Sequence, residues 1–386
     1  MNLFLSHKGK WVTPLAFFLL TTQSYASSYL PNDFRDEIGD SNFQMYVDGK
    51  TEQLPLNLFE DEWSVLPKHT KENRAFGTLY TSLSHAYDGF SLGIFQEKNI
   101  NVVFDDGFIN TWFLANQDFA TLLTKTTIGN ELDKEYINGN GDYYYTQGIY
   151  FQKILAPSSN QWFSIKTNLL YGKEFQSLNV NGSNSNQRFL LGFDYFYNYK
   201  NVISKNKDNL DTDNGLGYGF DLEYVYEKNN LYLYGGLFNL GGKIYWKDIT
   251  KMHYDFDSQT IYLGDDGYNH LKAFGVGYYE FHTNYIQKLP LYYKATINYQ
   301  ITDTISLGNT LNGHKKVIFN EPYTSAKIGN TLYKLGYVLG NDDATFGVMF
   351  EKINLFGAKI KNLNLEVSNK FGSGNDTMMG RVGFSF

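Results

Sequence analysis

One serine tetrapeptide is the first place in this chain where catalysis is conceivable. GDSN at 39–42 would present Ser41 as the nucleophile of an esterase, which also requires an Asp-x-x-His block downstream. In DDGYNH at 265–270, His270 follows Asp266 by four residues, which is the wrong spacing. The esterase interpretation is therefore not favoured.

Aspartates near histidines are the second candidate for chemistry, because some hydrolases activate water with such a pair. The candidates are Asp265-Asp266, Asp342-Asp343, and His85 with Asp88 in SHAYDG. Aspartate before glycine or alanine more commonly forms a turn. Catalysis is decided by geometry rather than by closeness in sequence. We therefore predict that the protein is not an enzyme.

Metal and cofactor sites are not indicated by the sequence. The chain has no cysteine, which excludes disulfides, thiolate nucleophiles and cysteine metal sites. NLDTDNG at 209–215 has alternating acids, but Asn214 stands where a calcium loop requires glycine. A loosely bound surface cation is the alternative there. The histidines are scattered, and we expect neither a metal nor a cofactor.

The segment GLGYGFDLEYVYEK at 215–228 indicates the type of secondary structure that would position any functional site. Every second residue is apolar or aromatic, and the residues between are mainly glycine or acidic, a period that predicts a β-strand with two unlike faces. The apolar face consists of Leu216, Tyr218, Phe220, Leu222, Tyr224 and Tyr226. Tyrosine fills dry cores poorly, so its repetition on this face argues against the core of a soluble sheet.

The same alternation recurs along the chain, as in RFLLGFDYFYNYK, LYYKATINYQIT and KNLNLEVSNKF. Aromatic residues make up 18% of the sequence, and after the N-terminus no run of 18 apolar residues occurs that would predict a membrane-spanning helix. A soluble antiparallel sandwich or barrel also alternates and is the alternative. Repeated segments of about ten residues with tyrosine on the apolar face favour transmembrane barrel strands.

The two ends of the sequence support export and membrane insertion. Residues 1–26 contain Lys8 and Lys10, a short apolar core and SYA ending at Ala26, which is the order of a secretory signal peptide. An N-terminal membrane anchor is less favoured, because the apolar run is too short to span a bilayer. In TMMGRVGFSF, alternate residues share one face and the sequence stops at Phe386.

This combination resembles the outer-membrane β-barrel proteins of Gram-negative bacteria, in the porin-like class. The resemblance covers the general plan of residues 74–386 and identifies no subfamily. It implies that Val382, Phe384 and Phe386 form the signal read by the barrel-assembly machinery, and that the signal peptide is cleaved after Ala26. It also implies outer-membrane lipid as the surroundings of the barrel.

The predicted organisation is a signal peptide (1–26), a periplasmic or plug-like segment (27–73) and an all-β, transmembrane antiparallel barrel (74–386). FQMYVDGKTEQLPLNLF could form a small hairpin around Asp48-Gly49. The barrel length predicts ~14–16 strands, an even number. Four polar stretches are interpreted as long connections, namely 115–142, 173–186, 201–214 and 247–269. A short helix in the first of them could fold inward and narrow a pore, and a surface loop capped by its own apolar residues is the alternative.

The polar faces of the clearest strands supply the residues expected to line the lumen. They are Arg188, Asp194, Lys200, Asp221, Glu223, Glu227, Lys294, Glu366, Lys370 and Arg381. Acids and bases are equal in number, so their fields would largely cancel. We therefore predict a channel for small polar solutes with weak ion selectivity. A substitution on this face, Thr296→Lys, is expected to be tolerated.

Two alternatives to the channel stay open. The barrel could anchor or export a surface appendage or polysaccharide without conducting, or it could be an adhesin that acts through its extracellular loops. A net charge of −7 with interspersed signs gives no basic surface for nucleic acid. The sequence does not indicate an oligomeric state.

Overall fold

A computed structural model describes residues 41–52, 73–105, 135–185, 188–198, 214–263, 269–314, 317–339, 343–355, 358–370 and 378–385. Within these ranges the chain is almost entirely strand. The strands are β1 (Ser41–Glu52), β2 (Asn73–Tyr87), β3 (Phe90–Phe104), β4 (Glu135–Ser158), β5 (Gln161–Ser185), β6 (Arg188–Tyr197), β7 (Gly215–Lys228), β8 (Leu231–Leu263), β9 (Asn269–Lys288), β10 (Tyr292–Gln300), β11 (Ile305–His314), β12 (Val317–Ile328), β13 (Thr331–Val338), β14 (Asp343–Leu355), β15 (Ala358–Lys370) and β16 (Met378–Ser385).

Fourteen of these strands close into one antiparallel ring. Neighbours in sequence pair along most of the ring, β5 pairs with β7, β8 pairs with both β7 and β10, and β16 pairs with β1. The closing register is illustrated by Val47 opposite Val382. The prediction of an antiparallel β-barrel with an even strand number is confirmed.

The first strand corrects the predicted division of the chain. β1 lies inside residues 27–73, yet it pairs with β2 on one side and β16 on the other. It runs straight through Asp48-Gly49, so the hairpin suggested there does not form. The wall of the barrel therefore includes 41–52. The signal peptide and the rest of 27–73 lie outside the described residues.

Two strands are far longer than a membrane requires. β5 has 25 residues and β8 has 33, whereas a membrane-crossing strand needs about 9–11. Their first parts belong to the ring, and their later parts pair with β6 and β9. This second sheet continues the wall beyond the barrel, and we call it the extension.

The extension corrects the interpretation of the long connections. Most of 173–186 belongs to β5, most of 247–269 to β8, and 135–142 to β4. The predicted short helix falls on residues outside the described ranges.

The remaining polar stretch, 201–214, lies in the sequence between β6 and β7, and these two strands share one crossing of the wall. β6 pairs with β5 up to Gln176, and β7 resumes the pairing at Gly172. β6 and β7 are thus successive segments of one crossing of the wall, although residues 198–214 separate them in sequence.

Tight turns join the strands at the end of the barrel opposite the extension, which we call the short-turn end. Backbone φ is positive at Asp88 and Gly89, at Asn229 and at Gly329. Left-handed residues of this kind are typical of two-residue hairpin turns. The prediction that Asp88 belongs to a turn, not to an active site, agrees with this geometry.

The outer face of the ring is apolar and exposed. Leu92, Leu216 and Leu335 expose 63%, 65% and 66% of their surface, while their neighbours along each strand point inward. Tyr299 and Tyr333 lie on the same face near the short-turn end. Such a face suits lipid rather than water. The described residues contain no helix of the length and apolarity that a membrane crossing demands.

Candidate functional site: the inner wall of the barrel

The inner wall carries a continuous stripe of buried apolar side chains across β2 to β5, β8 and the residues before β10. We call it the aromatic stripe. Its members are Tyr80, Phe95, Tyr144, Tyr150, Leu170, Phe175, Ile244, Trp246, Ile249 and Leu289. The ring of Tyr80 stacks on Phe95 at 5.7 Å, and Phe95 contacts Tyr150 at 6.3 Å. The lumen on this side is thus lined by packed rings.

Trp246 is the centre of the stripe where the barrel passes into the extension. Its ring stacks on Phe175 at 5.0 Å, and its Nε1 donates to Oε1 of Gln287 at 3.0 Å. A Cβ atom at Gly172 or Gly215 would overlap the indole ring. Glycine at both positions therefore lets Trp246 lie against the backbone of the wall.

Asn198 holds the wall together at the interruption between β6 and β7. Its side-chain oxygen accepts from the backbone N–H of Phe175 at 2.6 Å, and its own N–H donates to the carbonyl of Phe175 at 3.2 Å. Its side-chain nitrogen also donates to the carbonyl of Lys173. The ladder is therefore continued for one residue past β6.

A half-buried, inward-facing lysine interrupts the aromatic stripe halfway along the barrel. Nζ of Lys166 lies 4.0 Å from the ring centre of Tyr150 and 3.2 Å from the hydroxyl of Tyr80. Nearby, the hydroxyl of Tyr144 donates to Glu97 at 2.9 Å. The charge is thus held by aromatic faces and hydroxyl groups.

A second buried charge pair lies on the opposite part of the inner wall. Nζ of Lys334 is 2.6 Å from Oε1 of Glu321, and both side chains are almost completely buried. The hydroxyl of Thr345 donates to the same Glu321 oxygen, and Lys334 also lies over the ring of Tyr323. Each member depends on the other, because an unpaired charge at such a position is strongly destabilising.

The predicted lumen residues fall into three groups. Asp221 and Glu223 lie on the inner face of β7, where Asn168 donates to Asp221 at 2.9 Å and Tyr234 donates to Glu223 at 2.7 Å. Glu227 is exposed at the short-turn end, and Lys294 is half-buried on the inner face of β10.

Asp194, in contrast, lies in the extension beyond the barrel. The side chains of the remaining five, or the whole residue for Lys200, lie outside what the structure describes. The backbone registers set Glu366 opposite Arg381, Lys370 opposite Asp343 and Arg188 opposite Ser185. Asp221 and Glu223 of β7 are engaged in local hydrogen bonds, and the cancellation of charges along the lumen stays a prediction.

Sequence reasoning missed four inward-facing charges, which are the half-buried Glu97 and Lys166 and the buried Glu321 and Lys334. Each lies on an inner face that also carries aromatic residues, such as Phe95 beside Glu97. Alternation assigns aromatic residues to the lipid side, so strands with rings on both faces do not stand out. The available signal was a charged residue that stands an even number of positions from serine or asparagine and therefore shares their face. In β3, Glu97 stands in this way relative to Ser91 and Asn99.

His253 of β8 forms a charged cluster with β6 in the extension. Nδ1 lies 2.9 Å from Oδ1 of Asp194, and Nε2 lies 2.9 Å from Oδ2 of Asp255. These two hydrogen bonds favour the imidazolium and raise the pKa of His253 above 6.5. Since both ring nitrogens are engaged, His253 has none left to act as a base.

Asp194 is the common partner in this cluster. Partial burial opposes its ionisation, but the hydrogen bond from His253 and the charge of Lys251, 3.4 Å away, outweigh that effect and lower the pKa of Asp194 below 3.8. Burial likewise disfavours charged Lys251, yet Asp194 and then Glu280 raise its pKa. We call Asp194, Lys251, His253 and Asp255 the extension clasp.

The structure describes the other predicted sites only in part. Ser41 begins β1 opposite His85, and its side chain lies outside what is described. No cluster of three metal-binding side chains occurs among the described residues. Val382 and Phe384 lie in β16, opposite Leu365 and Leu363 of β15, whereas Phe386 follows the last described residue.

Comparisons by sequence find no relative, because no protein family and no curated protein matches the chain. Comparisons of structure do find matches. A variant of the TodX monoaromatic hydrocarbon channel has a TM-score of 0.46 at 11% identity and covers 95% of this chain and 96% of its own. The Pseudomonas putida toluene transporter TodX gives 0.42 at 13% identity, covering 94% and 95%.

A third match is a Pseudomonas aeruginosa FadL homologue, with a TM-score of 0.42 at 10% identity, covering 90% of this chain and 89% of that one.

Proposed function

We propose that this chain is an outer-membrane channel whose route follows the aromatic stripe and passes small apolar molecules. The observation that supports this most directly is the stripe itself, which runs along the inner wall from Tyr80 to Trp246. Apolar and aromatic linings bind apolar solutes, whereas polar solutes lose their hydration against them. The proposal replaces the small polar solutes expected from the sequence.

Export and assembly complete the proposal. Residues 1–26 would direct export, with cleavage after Ala26, and the barrel-assembly machinery would recognise Val382, Phe384 and Phe386. The apolar outer face would then contact outer-membrane lipid.

A matched pair of substitutions on β5 tests the route. Leu170 belongs to the buried stripe, while Leu169 is 54% exposed on the outer face. Leu170→Asn places an amide in the stripe and is expected to weaken binding of naphthalene by about tenfold or more, since burying an unpaired amide costs about 1–3 kcal/mol. Equilibrium dialysis of the refolded barrel, read by naphthalene fluorescence, measures the affinity.

Leu169→Asn is the control and is expected to keep the wild-type affinity. Heat-modifiable migration on a gel shows whether both variants form the barrel. Absence of saturable binding in the wild type, or equal loss in both variants, would contradict the proposed route. Large ion-conductance steps with a reversal potential near zero in a planar bilayer would instead favour the polar pore.

A non-conducting scaffold is the second candidate, and the buried pair of Glu321 and Lys334 favours it. A scaffold can fill its interior with packed side chains, and this pair shows that a charged part of the inner wall is closed to water. Silence in the bilayer together with no naphthalene binding would support this candidate over the channel.

A further inference from the structure

Two lysines face each other on the outer surface, where the barrel meets the extension. Lys243 of β8 is directly opposite Lys288 of β9, and its partner on the other side is Tyr218 of β7. The outer face is identified by Tyr245 and Ile286, two positions away, which expose 40% and 53% of their surface. Like charges directly opposite each other in a sheet repel and destabilise the pairing.

Nothing described in the structure neutralises this pair. Among the ion pairs formed by the described residues, none involves Lys243 or Lys288. Glu174 lies on the same face of the wall, but its carboxylate accepts from the hydroxyl of Tyr143 at 2.7 Å. Two lysines at directly opposite positions of one face, neither of them in a described ion pair, are suited to bind an anion.

The height of the pair in the wall indicates where that anion comes from. β8 begins at Leu231 opposite Lys228, and Lys243 is opposite Tyr218, so Lys243 stands about ten residues above the short-turn end when the distance is counted along β7. This is at the limit of the 9–11 residues that span the apolar bilayer. Tyr218 and Tyr245 adjoin the pair and interact through their hydroxyl groups. Tyrosine is enriched at this boundary between lipid tails and headgroups.

Outward lysines beside tyrosines also occur on other strands of the outer face. Nζ of Lys98 lies 4.9 Å from the ring centre of Tyr145, and Nζ of Lys173 lies 4.5 Å from that of Tyr171. These pairs show that the combination of lysine and tyrosine is not confined to β8 and β9. Lys243 and Lys288 differ from them in facing each other.

We propose that Lys243 and Lys288, with Tyr218 and Tyr245, bind a phosphate-bearing lipid headgroup at the upper boundary of the membrane. Phosphate oxygens accept hydrogen bonds from both ammonium groups, which removes their repulsion. The acyl chains of the same lipid lie along the exposed apolar side chains below, such as Phe220 and Leu240. The site rests on the proposed membrane location, but not on what passes through the barrel.

Lipid capture by the refolded barrel in neutral detergent tests the site. The probe is lipopolysaccharide that carries its lipid phosphates, and native mass spectrometry counts the bound molecules. Lys243→Gln with Lys288→Gln is expected to reduce the apparent affinity at least tenfold. The matched control is Lys153→Gln with Lys228→Gln, which removes two lysines near the short-turn end and is expected to change the affinity less than twofold.

The chemistry of the ligand is tested in parallel. Chemically dephosphorylated lipopolysaccharide is expected to bind the wild type at least tenfold more weakly, and millimolar inorganic phosphate is expected not to displace the intact lipid. Equal binding of the dephosphorylated lipid, displacement by inorganic phosphate, or an unchanged affinity of the Lys243/Lys288 variant would each overturn the proposal.

Thermal stability provides an independent test, because the effect of Lys243→Gln on the thermal midpoint is expected to change sign when the lipid is added. In neutral detergent without phosphate-bearing lipid, Lys243→Gln relieves repulsion and is expected to raise the thermal midpoint. With the lipid present, the same substitution is expected to lower the midpoint relative to wild type. A shift of the same sign in both conditions would overturn the proposal. Naphthalene binding is expected to be unchanged, which separates this site from the proposed channel.

Discussion

Glycine residues decide where rings lie against the inner wall. Tyr150 covers Gly93 and Trp246 covers Gly172, and in both places a Cβ atom would overlap the ring. The large aromatic surface is therefore buried against backbone as well as against other side chains. This arrangement lets a wall one strand thick carry a packed apolar inner layer.

Leu222→Lys tests the assignment of the outer face at a single residue. Leu222 is 37% exposed on β7, beside buried Asp221. A lysine on the lipid face costs about 2–4 kcal/mol near the bilayer midplane, so the free energy of unfolding in lipid vesicles is expected to fall by that amount. Denaturant titration followed by tryptophan fluorescence measures it.

Leu222→Met keeps the apolar character and serves as the control, with an expected change within about 1 kcal/mol. Equal stability of the lysine variant and the wild type would show that this face does not contact lipid.

The alternation of apolar and polar residues predicted the face on which individual residues lie, but not how deeply they are buried or which residues they contact. It placed Asp221, Glu223 and Thr296 opposite the apolar face, and the pairings agree. It did not predict that Thr296 is only 3% exposed and bonded to Thr310. The expected tolerance of Thr296→Lys therefore fails on packing, since an ammonium group there would be buried. The alternation along a strand predicts the face on which a side chain lies, whereas the burial of that side chain depends on residues that are distant in sequence.

At the scale of elements, β8 acts as the common support of the barrel and the extension. Its first part pairs with β7 and β10, and its later part pairs with β6 and β9. Bulges interrupt the β8–β9 pairing between Trp246 and Lys251. The extension is therefore attached through a bent region, and contacts above that region determine how firmly its strands hold together.

The extension clasp is expected to make the pairing of β6 with β8 depend on pH. Because the pKa of His253 is raised, its stabilising effect is complete below 6.5 and is lost as pH rises through the raised value. Because the pKa of Asp194 is lowered, its effect is present above 3.8 and is lost as pH falls further. The clasp is therefore strongest in mildly acidic solution.

Hydrogen exchange of the backbone amides of 250–257, corrected for intrinsic rates, measures this effect. Protection is expected to decrease between pH 6 and pH 8.5 in the wild type and to stay constant in His253→Gln. His282→Gln removes an exposed histidine of β9 that contacts Asp248, and this variant is expected to behave like the wild type. A pH dependence that survives in His253→Gln would assign it to other groups.

The fold class and the approximate number of strands were predictable from the sequence, but the extension and the place of β1 in the barrel wall were not. Repeated alternation sufficed for an antiparallel barrel, because each strand has one apolar face. The extension was missed because the polar residues of 173–186 and 247–269 resemble loops when they are read without their partners. β1 was missed because its short alternating stretch lies among prolines and acids. Both depend on pairing between distant segments.

Deleting residues 378–386 tests the closure of the barrel. Without β16, both β1 and β15 lose a partner, and open sheet edges are not tolerated within lipid. The truncated chain is expected to lose the heat-modifiable barrel form, both in cells and on refolding in detergent. Normal heat-modifiable migration of the truncated chain would show that β16 is not needed to close the ring.

Phe386→Ala provides the control, because it leaves every described backbone pair of β16 in place. It is expected to refold in detergent like the wild type but to insert poorly in cells, if the assembly machinery reads the terminal aromatic residue. Poor refolding of Phe386→Ala in detergent would instead assign a structural role to that residue.

The pairing of β1 with β16 also determines the order in which the protein folds. Most neighbouring strands are joined by short turns, so their hairpins need little chain entropy to form, whereas Gln44 meets Ser385 only after almost the whole chain has been ordered between them. Contacts of such long sequence separation slow folding. We therefore expect closure to be the last and slowest step, preceded by a sheet in which β1 and β16 are unpaired edges.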